Sequence, residues 1–155
     1  MMDWPVPVIA VLVILGVAIL WRPLKRFGRQ VLLERARELF KLQRERLERG
    51  FLDAAAASGK PRGLRWKDCQ WEKDVEFVRE RKTGEIVALV GVTIQFEAIE
   101  GGDMEGLPAV GNLRNASAVF FFHRGQWLTI GKAVFNMNPN EAVEHFKTVY
   151  ERVTP

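Results

Sequence analysis

The hydrophobic pattern begins with an uncharged run from Val6 to Trp21. As a helix, the stretch from Trp4 to Trp21 would be about 27 Å long, close to the hydrocarbon thickness of a bilayer. The pattern therefore predicts a single transmembrane helix in residues 1–22, with Trp4 and Trp21 as the aromatic residues at the two membrane interfaces.

The charged residues beside this run decide between three interpretations. A cleaved signal peptide carries basic residues before its apolar run, whereas here Met1-Met2-Asp3 provides none. The flanking Pro5, Pro7 and Pro23, together with the lack of any polar face, argue against a buried core helix. Basic residues follow the run directly, at Arg22, Lys25, Arg26 and Arg29. They favour a membrane anchor and predict contacts of these four side chains with anionic lipid headgroups.

The same basic residues predict an orientation, because basic flanks stay on the cytoplasmic side of a membrane. We expect a single-pass protein of the inner or plasma membrane with its N-terminus outside. Residues 23–29 would form a basic juxtamembrane segment, with Pro23 and Gly28 interrupting the helix. Residues 30–155 would form a cytoplasmic domain.

The next stretch, from Arg29 to Ala57, has a helical period. Its apolar positions are Leu32, Ala36, Leu39, Phe40, Leu47, Phe51 and Ala54. The sequence Ser58-Gly59-Lys60-Pro61 predicts the end of the helix, because Gly caps helices and Pro cannot extend them. The pattern favours an amphipathic helix that covers a sheet of the same chain, and a dimeric coiled coil is the alternative.

Alternating segments follow the helix. Leu64 to Trp71 predicts a strand with a bulge near Lys67-Asp68, and Val75 to Arg81 a second strand. Glu85 to Ile99 alternates most clearly, with one apolar and one polar face. Ala116 to His123 is apolar on both faces, which predicts a strand covered on both sides. A turn at Arg124-Gly125 would join it to a strand from Gln126 to Phe135.

Two segments complete the pattern. Glu100 to Leu113 is a glycine-rich loop, which is either a binding loop or a disordered crossover. Asn138, Pro139 and Glu141 predict a helix N-terminus with a capping box, and apolar positions continue to Val153. The expected fold is α+β: an N-terminal transmembrane helix, a long amphipathic helix, a curved antiparallel sheet of four to five strands, and a C-terminal helix, with the helices on one side of the sheet.

This order of elements resembles the cystatin-like and NTF2-like α+β domains. The passages Gly63-Leu-Arg-Trp66, Arg81-Lys-Thr-Gly-Glu85 and Ala133-Val-Phe-Asn-Met-Asn-Pro139 are similar to those of small uncharacterised bacterial membrane proteins. The resemblance implies a helix lying across a bent antiparallel sheet and implies no activity, because NTF2-like folds serve enzymes, carriers and assembly modules alike.

Charge and cysteine content exclude some functions. The formal net charge is +4, but the stretch from Arg22 to Arg49 alone holds ten basic and four acidic residues. The remainder is close to neutral, so nucleic acid is not an expected partner. Cys69 is the single cysteine, so it cannot form a disulfide within the chain.

The sequence contains no motif that identifies a reaction. Phosphate-binding glycine loops, H-E-x-x-H and paired cysteines are all absent. We therefore predict no catalytic residue, no metal site and no cofactor. If the sheet is concave, a pocket is expected from polar and aromatic positions on its strands, namely Asp68, Glu97, His123, Trp66, Trp71 and Trp127. The alternative is that the tryptophans belong to the core.

Two functions of different classes remain. The first is a membrane-anchored protein-interaction or scaffold module, whose partners are the lipid bilayer and a protein of unknown identity. The second is a small-ligand carrier or hydrolase-like enzyme with a pocket in an NTF2-like sheet. A sheet filled by its own Phe and Trp side chains favours the first, and an open polar cavity containing Asp68 or His123 favours the second. The sequence leaves the oligomeric state open.

Overall fold

The structure, a computed structural model, describes residues 5–59 and 61–153, without the side chains of residues 5–7, 20, 22 and 24. The predicted interface residue Trp4 lies outside these residues. The fold is α+β, as predicted. Its elements in chain order are α1 (Pro5–Ala57), β1 (Leu64–Glu80), β2 (Ile86–Ala98), a 3-10 turn (Pro108–Gly111), β3 (Arg114–His123), β4 (Gln126–Leu128), β5 (Ala133–Phe135), α2 (Pro139–His145) and β6 (Tyr150–Arg152).

Helix α1 is one continuous element of 53 residues with Pro23 inside it. The prediction of two helices interrupted at Pro23 and Gly28 is therefore wrong. A proline removes one backbone hydrogen bond, and a long helix absorbs this loss when the residues on both sides remain helical. The chain divides into two compact units, Met1–Arg35 and Ala36–Pro155.

The predicted transmembrane helix is not supported. Among the described residues, no helix combines the length and the apolarity needed to cross a membrane. The anchor in residues 1–22 and the single-pass location, with the N-terminus outside and the domain in the cytoplasm, are corrected accordingly.

The sheet is antiparallel and has six strands, in the order β4-β3-β2-β1-β6, with β5 also pairing with β3. The prediction of four to five strands was too low. The two strands expected between Leu64 and Arg81 are one strand, β1, which is irregular between Trp66 and Asp68 and again between Trp71 and Val75. The first irregularity confirms the predicted bulge, and the second explains why the alternation of the sequence breaks there.

One face of the sheet packs against the part of α1 that follows Ala36. Phe40 and Phe51 are its largest buried side chains, and both are almost inaccessible to solvent. Their rings lie 5.5 Å and 5.8 Å from the ring of Phe120, which projects from β3. The predicted amphipathic helix that covers the sheet is therefore confirmed in this unit.

The opposite face of the sheet is covered near α2. Val119 of β3 and Val143 of α2 belong to a buried cluster on this side. Helices thus lie on both faces, so the prediction of helices on one side only is wrong. The prediction that both faces of β3 are covered is confirmed, since Phe120 and Val119 are both buried and alternate along the strand.

Helix α2 begins as predicted but ends early. The side chain of Asn138 accepts a hydrogen bond from the Glu141 amide, and Glu141 completes the capping box. The helix ends at His145, and Tyr150 lies in β6 rather than on the helix. The reason is that β6 pairs with the end of β1, where the Arg81 amide also donates to the Val149 carbonyl over 2.8 Å.

Candidate functional site

Two of the three tryptophans predicted for a pocket belong to the core. The ring of Trp71 lies 5.4 Å from that of Phe51 and 6.2 Å from that of Phe120. Trp127 is 2% exposed, and its indole N–H donates a 2.8 Å hydrogen bond to the Ala36 carbonyl. The α1 face of the sheet is therefore filled by the protein's own aromatic side chains.

The three polar residues predicted for the same pocket do not meet. Asp68 accepts a hydrogen bond from the Cys69 amide over 2.9 Å, and Glu97 forms a 2.7 Å ion pair with Arg65. His123 hydrogen-bonds through Nδ1 to Glu85, which precedes β2, whereas Glu97 lies near the other end of that strand. About 40 Å of extended chain separates the two glutamates. The structure does not bring Asp68, Glu97 and His123 into one site.

The basic residues predicted to contact lipid headgroups lie on α1, in the unit that ends at Arg35. Lys25, Arg26 and Arg29 line a shallow depression of about 470 Å³ together with Pro23. The Lys25 ammonium lies 5.1 Å from the centre of the Trp21 ring, a cation–π contact across one helical turn. The side chain of Arg22 lies outside the described residues.

A second depression, which we call the α1-end cleft, lies where α1 ends against the sheet. Its volume is about 620 Å³, within the range of small-molecule sites. It is lined by Ser58, Pro61, Arg62, Trp66, Ile130, Gly131, Lys132, Ala133 and Phe135. Among the predicted pocket residues, only Trp66 reaches it.

Aromatic packing fixes the floor of the α1-end cleft. The ring of Trp66 lies 5.9 Å from that of Phe51, 5.1 Å from that of Phe96 and 6.4 Å from that of Phe135. Ile130 leaves 65% of its surface exposed at the wall. Because the floor is held by the core behind it, its apolar surface is in place before any ligand arrives.

The wall of the cleft depends on Gly131. Its φ is +69°, and a Cβ atom there would lie only 2.6 Å from Ala55 Cα. Thr129 fixes the same segment, because its hydroxyl accepts a 3.1 Å hydrogen bond from the Gly131 amide and donates one of 3.2 Å to the Val119 carbonyl. Because Gly131 has no side chain and the end of α1 consists of alanines, the backbone at Gly131 can contact the backbone of α1 at Ala55. This contact fixes the position of the wall of the cleft.

Charge distinguishes the rim of the α1-end cleft from its floor. Among the described residues that line the cleft, Arg62 and Lys132 are the two ionised ones, and none is a carboxylate. Among the described residues, neither side chain has an ion pair or a hydrogen bond. The cleft thus combines an aromatic floor with two uncompensated positive charges.

A polar cleft of about 450 Å³ lies on the α2 face of the sheet. It includes Glu72, whose carboxylate lies directly over Gly91 and occupies the space that the Cβ atom of any other residue would fill. Asn115 and Asn136 also line it, and Asn136 has a φ of +59°. Its carboxylates are Glu72 and Glu141, and no Cys or Ser lines it among the described residues, so the cleft lacks the usual nucleophiles.

The loop between β2 and β3 is closed by its own hydrogen bonds. The Gly102 amide donates to the Ile99 carbonyl over 3.0 Å, and the Gly101 amide to the Glu105 carboxylate over 2.8 Å. The loop nevertheless exposes large apolar side chains, with Leu107 at 50% and Leu113 at 62% of their surface. This internal bonding favours an ordered loop over a disordered crossover.

The titratable groups do not add a reaction centre. Burial, and to a smaller extent the Asp68 carboxylate, raises the pKa of the Cys69 thiol to about 12. A thiol with this pKa stays protonated and is a poor nucleophile near neutral pH. Burial and the nearby Glu80 also raise the pKa of Tyr150. Among the described residues, no group of His, Cys, Asp and Glu side chains is arranged to hold a metal ion.

Comparison with known proteins gives no relative. No protein-family model, no curated protein and no solved structure matches the chain. The resemblance to cystatin-like and NTF2-like domains therefore remains a prediction.

Sequence reasoning missed the α1-end cleft as a site. Its residues come from two passages separated by more than sixty positions, Ser58 to Trp66 and Ile130 to Phe135. One signal was present: Gly131-Lys132 interrupts an apolar strand pattern, and an isolated glycine in a strand often marks a close backbone approach.

Proposed function

We propose that this protein is a non-enzymatic binding module that presents the loop from Ile99 to Leu113 to a protein partner. The observation that carries the proposal is the exposure of apolar side chains on a loop that is closed by its own hydrogen bonds. Surface hydrophobic groups on a rigid, pre-organised segment bind with little loss of conformational entropy.

The filled sheet supports the same proposal. A carrier or hydrolase of the NTF2-like type would hold its ligand against the concave sheet, where Phe51, Trp71 and Phe120 instead pack against one another. No candidate nucleophile, base and orienting group meet among the described residues, so the enzymatic alternative has no supporting geometry.

The charge of the loop indicates the chemistry of the partner. Its charged residues, Glu100, Asp103 and Glu105, are all acidic. Glu105 accepts a hydrogen bond within the loop, whereas Glu100 and Asp103 are exposed and form no ion pair among the described residues. An apolar patch with a basic rim on the partner would complement this surface.

Site-specific photocrosslinking on the full chain tests the proposal. A photoreactive residue replacing Leu113 should crosslink to a specific protein of the native cell, and the same residue replacing Leu42 should not. Leu42 is the matched control because it is 82% exposed on α1, outside the loop.

A double substitution then tests whether the contact matters for affinity. Leu107→Ser with Leu113→Ser should weaken binding of the crosslinked protein at least tenfold, while Leu42→Ser leaves it unchanged. Equal crosslinking from the loop and from position 42, or an unchanged affinity in the double variant, would refute the proposal.

A further inference from the structure

The geometry points to the α1-end cleft as a binding site for a small apolar carboxylate, which is an aromatic or alkyl body with one carboxylate group. This site is separate from the loop proposed to bind a protein, and its existence does not depend on that function. Three properties of the cleft carry the inference: its floor, its wall and its charge.

The floor selects an apolar body. Trp66 and Phe135 face the cleft with rings that the core positions from behind, and Pro61, Ile130 and Ala133 add aliphatic surface. Each Å² of apolar surface that a ligand covers here is removed from water, which contributes about 25 cal/mol. An aromatic ligand also gains edge-to-face contacts with the two rings.

The wall makes the site pre-organised. The segment from Thr129 to Lys132 is tied to β3 by two hydrogen bonds with Val119: the Thr129 hydroxyl donates to the Val119 carbonyl, and the Val119 amide donates to the Lys132 carbonyl over 2.9 Å. The segment also lies against Ala55 at Gly131. The cleft is therefore not a gap between mobile side chains, because its shape is set by two backbone segments in contact. Binding does not have to order this wall.

The charge selects the polar group. Arg62 and Lys132 lie at the cleft without a carboxylate of the protein to compensate them. A guanidinium binds a carboxylate through two parallel hydrogen bonds, and an ammonium adds a compact positive charge. Both cations are exposed to solvent, so a neutral apolar molecule gains nothing from them, and a small polar anion leaves the aromatic floor uncovered.

Residue-resolved titration of the full chain tests this site. Amide chemical shifts of Ile130, Gly131 and Lys132 are followed while 4-phenylbutyrate is added, with 4-phenyl-1-butanol and acetate as reference ligands. We expect saturable shifts with 4-phenylbutyrate, at least tenfold weaker binding of the alcohol, and no saturation by acetate. Following these amides separates the cleft from nonspecific binding to the exposed apolar residues of α1.

Charge substitutions test the assignment of the cations. Arg62→Gln with Lys132→Gln should weaken 4-phenylbutyrate binding at least tenfold. The matched control is Lys82→Gln with Lys147→Gln, which removes two exposed charges outside the cleft and should leave affinity within twofold. Leu107→Ser with Leu113→Ser should also leave it within twofold, which separates this site from the loop.

Three results would overturn the inference. They are an absence of saturable shifts at the cleft amides, equal affinity for the alcohol and the carboxylate, and equal weakening by the control pair and by the Arg62 and Lys132 pair.

Discussion

Replacing Gly131 by alanine tests the contact that builds the α1-end cleft. The residue has a φ of +69°, where an alanine costs about 1 kcal/mol relative to glycine. A Cβ atom would also lie 2.6 Å from Ala55 Cα and 2.7 Å from the Ala54 carbonyl carbon. Ordinary carbon–carbon contacts are about 3.5–4.0 Å, so the segment must move away from α1 by roughly 1 Å.

The expected loss in the free energy of unfolding follows from the hydrogen bonds that this movement breaks. Two hydrogen bonds with Val119 hold the segment in place, one from the Thr129 hydroxyl to the Val119 carbonyl and one from the Val119 amide to the Lys132 carbonyl, and each contributes about 1 kcal/mol to stability. Together with the cost of about 1 kcal/mol for an alanine at positive φ, the loss of these bonds should lower the free energy of unfolding of Gly131→Ala by about 3 kcal/mol. This corresponds to a melting temperature roughly 10 °C lower.

Gly125→Ala is the matched control. Gly125 has a φ of +81°, but no atom lies within 4 Å of the position of a Cβ. This variant places an alanine at positive φ without a steric clash, so its free energy of unfolding should fall by only about 1 kcal/mol. Urea unfolding followed by tryptophan fluorescence measures both variants, with unchanged m-values as the check for two-state behaviour. Free energies of unfolding within about 0.5 kcal/mol of each other would refute the steric argument.

Three further predictions concern other parts of the Ala36–Pro155 unit. Because burial raises the pKa of Cys69 from 9.0 to about 12, the thiolate fraction at pH 8 is about 1000-fold lower than in the unfolded chain, and alkylation by iodoacetamide should be at least about 100-fold slower than in urea. Because the unfolded thiol ionises first, the stability of the protein should be full below pH 9.0 and fall towards pH 12. Folded and unfolded alkylation rates within threefold would contradict this. Asn138→Ala should lower the free energy of unfolding, measured in urea, by about 1 kcal/mol, whereas Asn138→Asp, which keeps a capping oxygen, should stay near the wild-type value. Equal losses in the two variants would contradict the role of Asn138 as the N-cap of α2. Arg44→Met should lose about 1 kcal/mol, because the guanidinium binds two carbonyls of the second β1 irregularity. Arg49→Met removes only a hydrogen bond within α1, so its free energy of unfolding should fall by less. A larger loss in Arg49→Met than in Arg44→Met would contradict the role of Arg44 in holding β1.

The parts of the fold that the sequence predicted well have strong local signals. The capping box at Asn138 is confirmed in its hydrogen bonds. The turn at Arg124-Gly125 is confirmed by positive φ values of 49° and 81°, as a two-residue hairpin requires. The alternation of β2 is confirmed from Val92 to Phe96, whereas Val87 and Leu89 are buried in the cluster beside α2, so the expected polar face is wrong for the first part of the strand. In each case the residues that determine the structure are neighbours in the chain, so interactions between them are sufficient to predict the conformation.

The errors lie where distant residues decide. Pro23 and Gly28 are helix breakers by propensity, yet α1 continues through both. Tyr150 follows a helical period, but three residues of β6 gain more by completing the edge of β1 than by extending α2. Likewise, no sequence spacing could join Arg62 to Lys132, because the contact of Gly131 with Ala55 creates their common cleft.

The outer edge of β1 explains why we place the protein-binding surface on a loop. Among the residues that the structure describes, β6 pairs only with Val78 to Glu80, so the edge from Leu64 to Phe77 is unpaired. A long unpaired edge invites strand addition, but two irregularities and several charged side chains interrupt this one, as in proteins that protect their edges. Arg44 also occupies two of its carbonyls. A partner strand would find few backbone groups in register there, whereas the loop from Ile99 to Leu113 offers apolar side chains whose binding needs no backbone pairing.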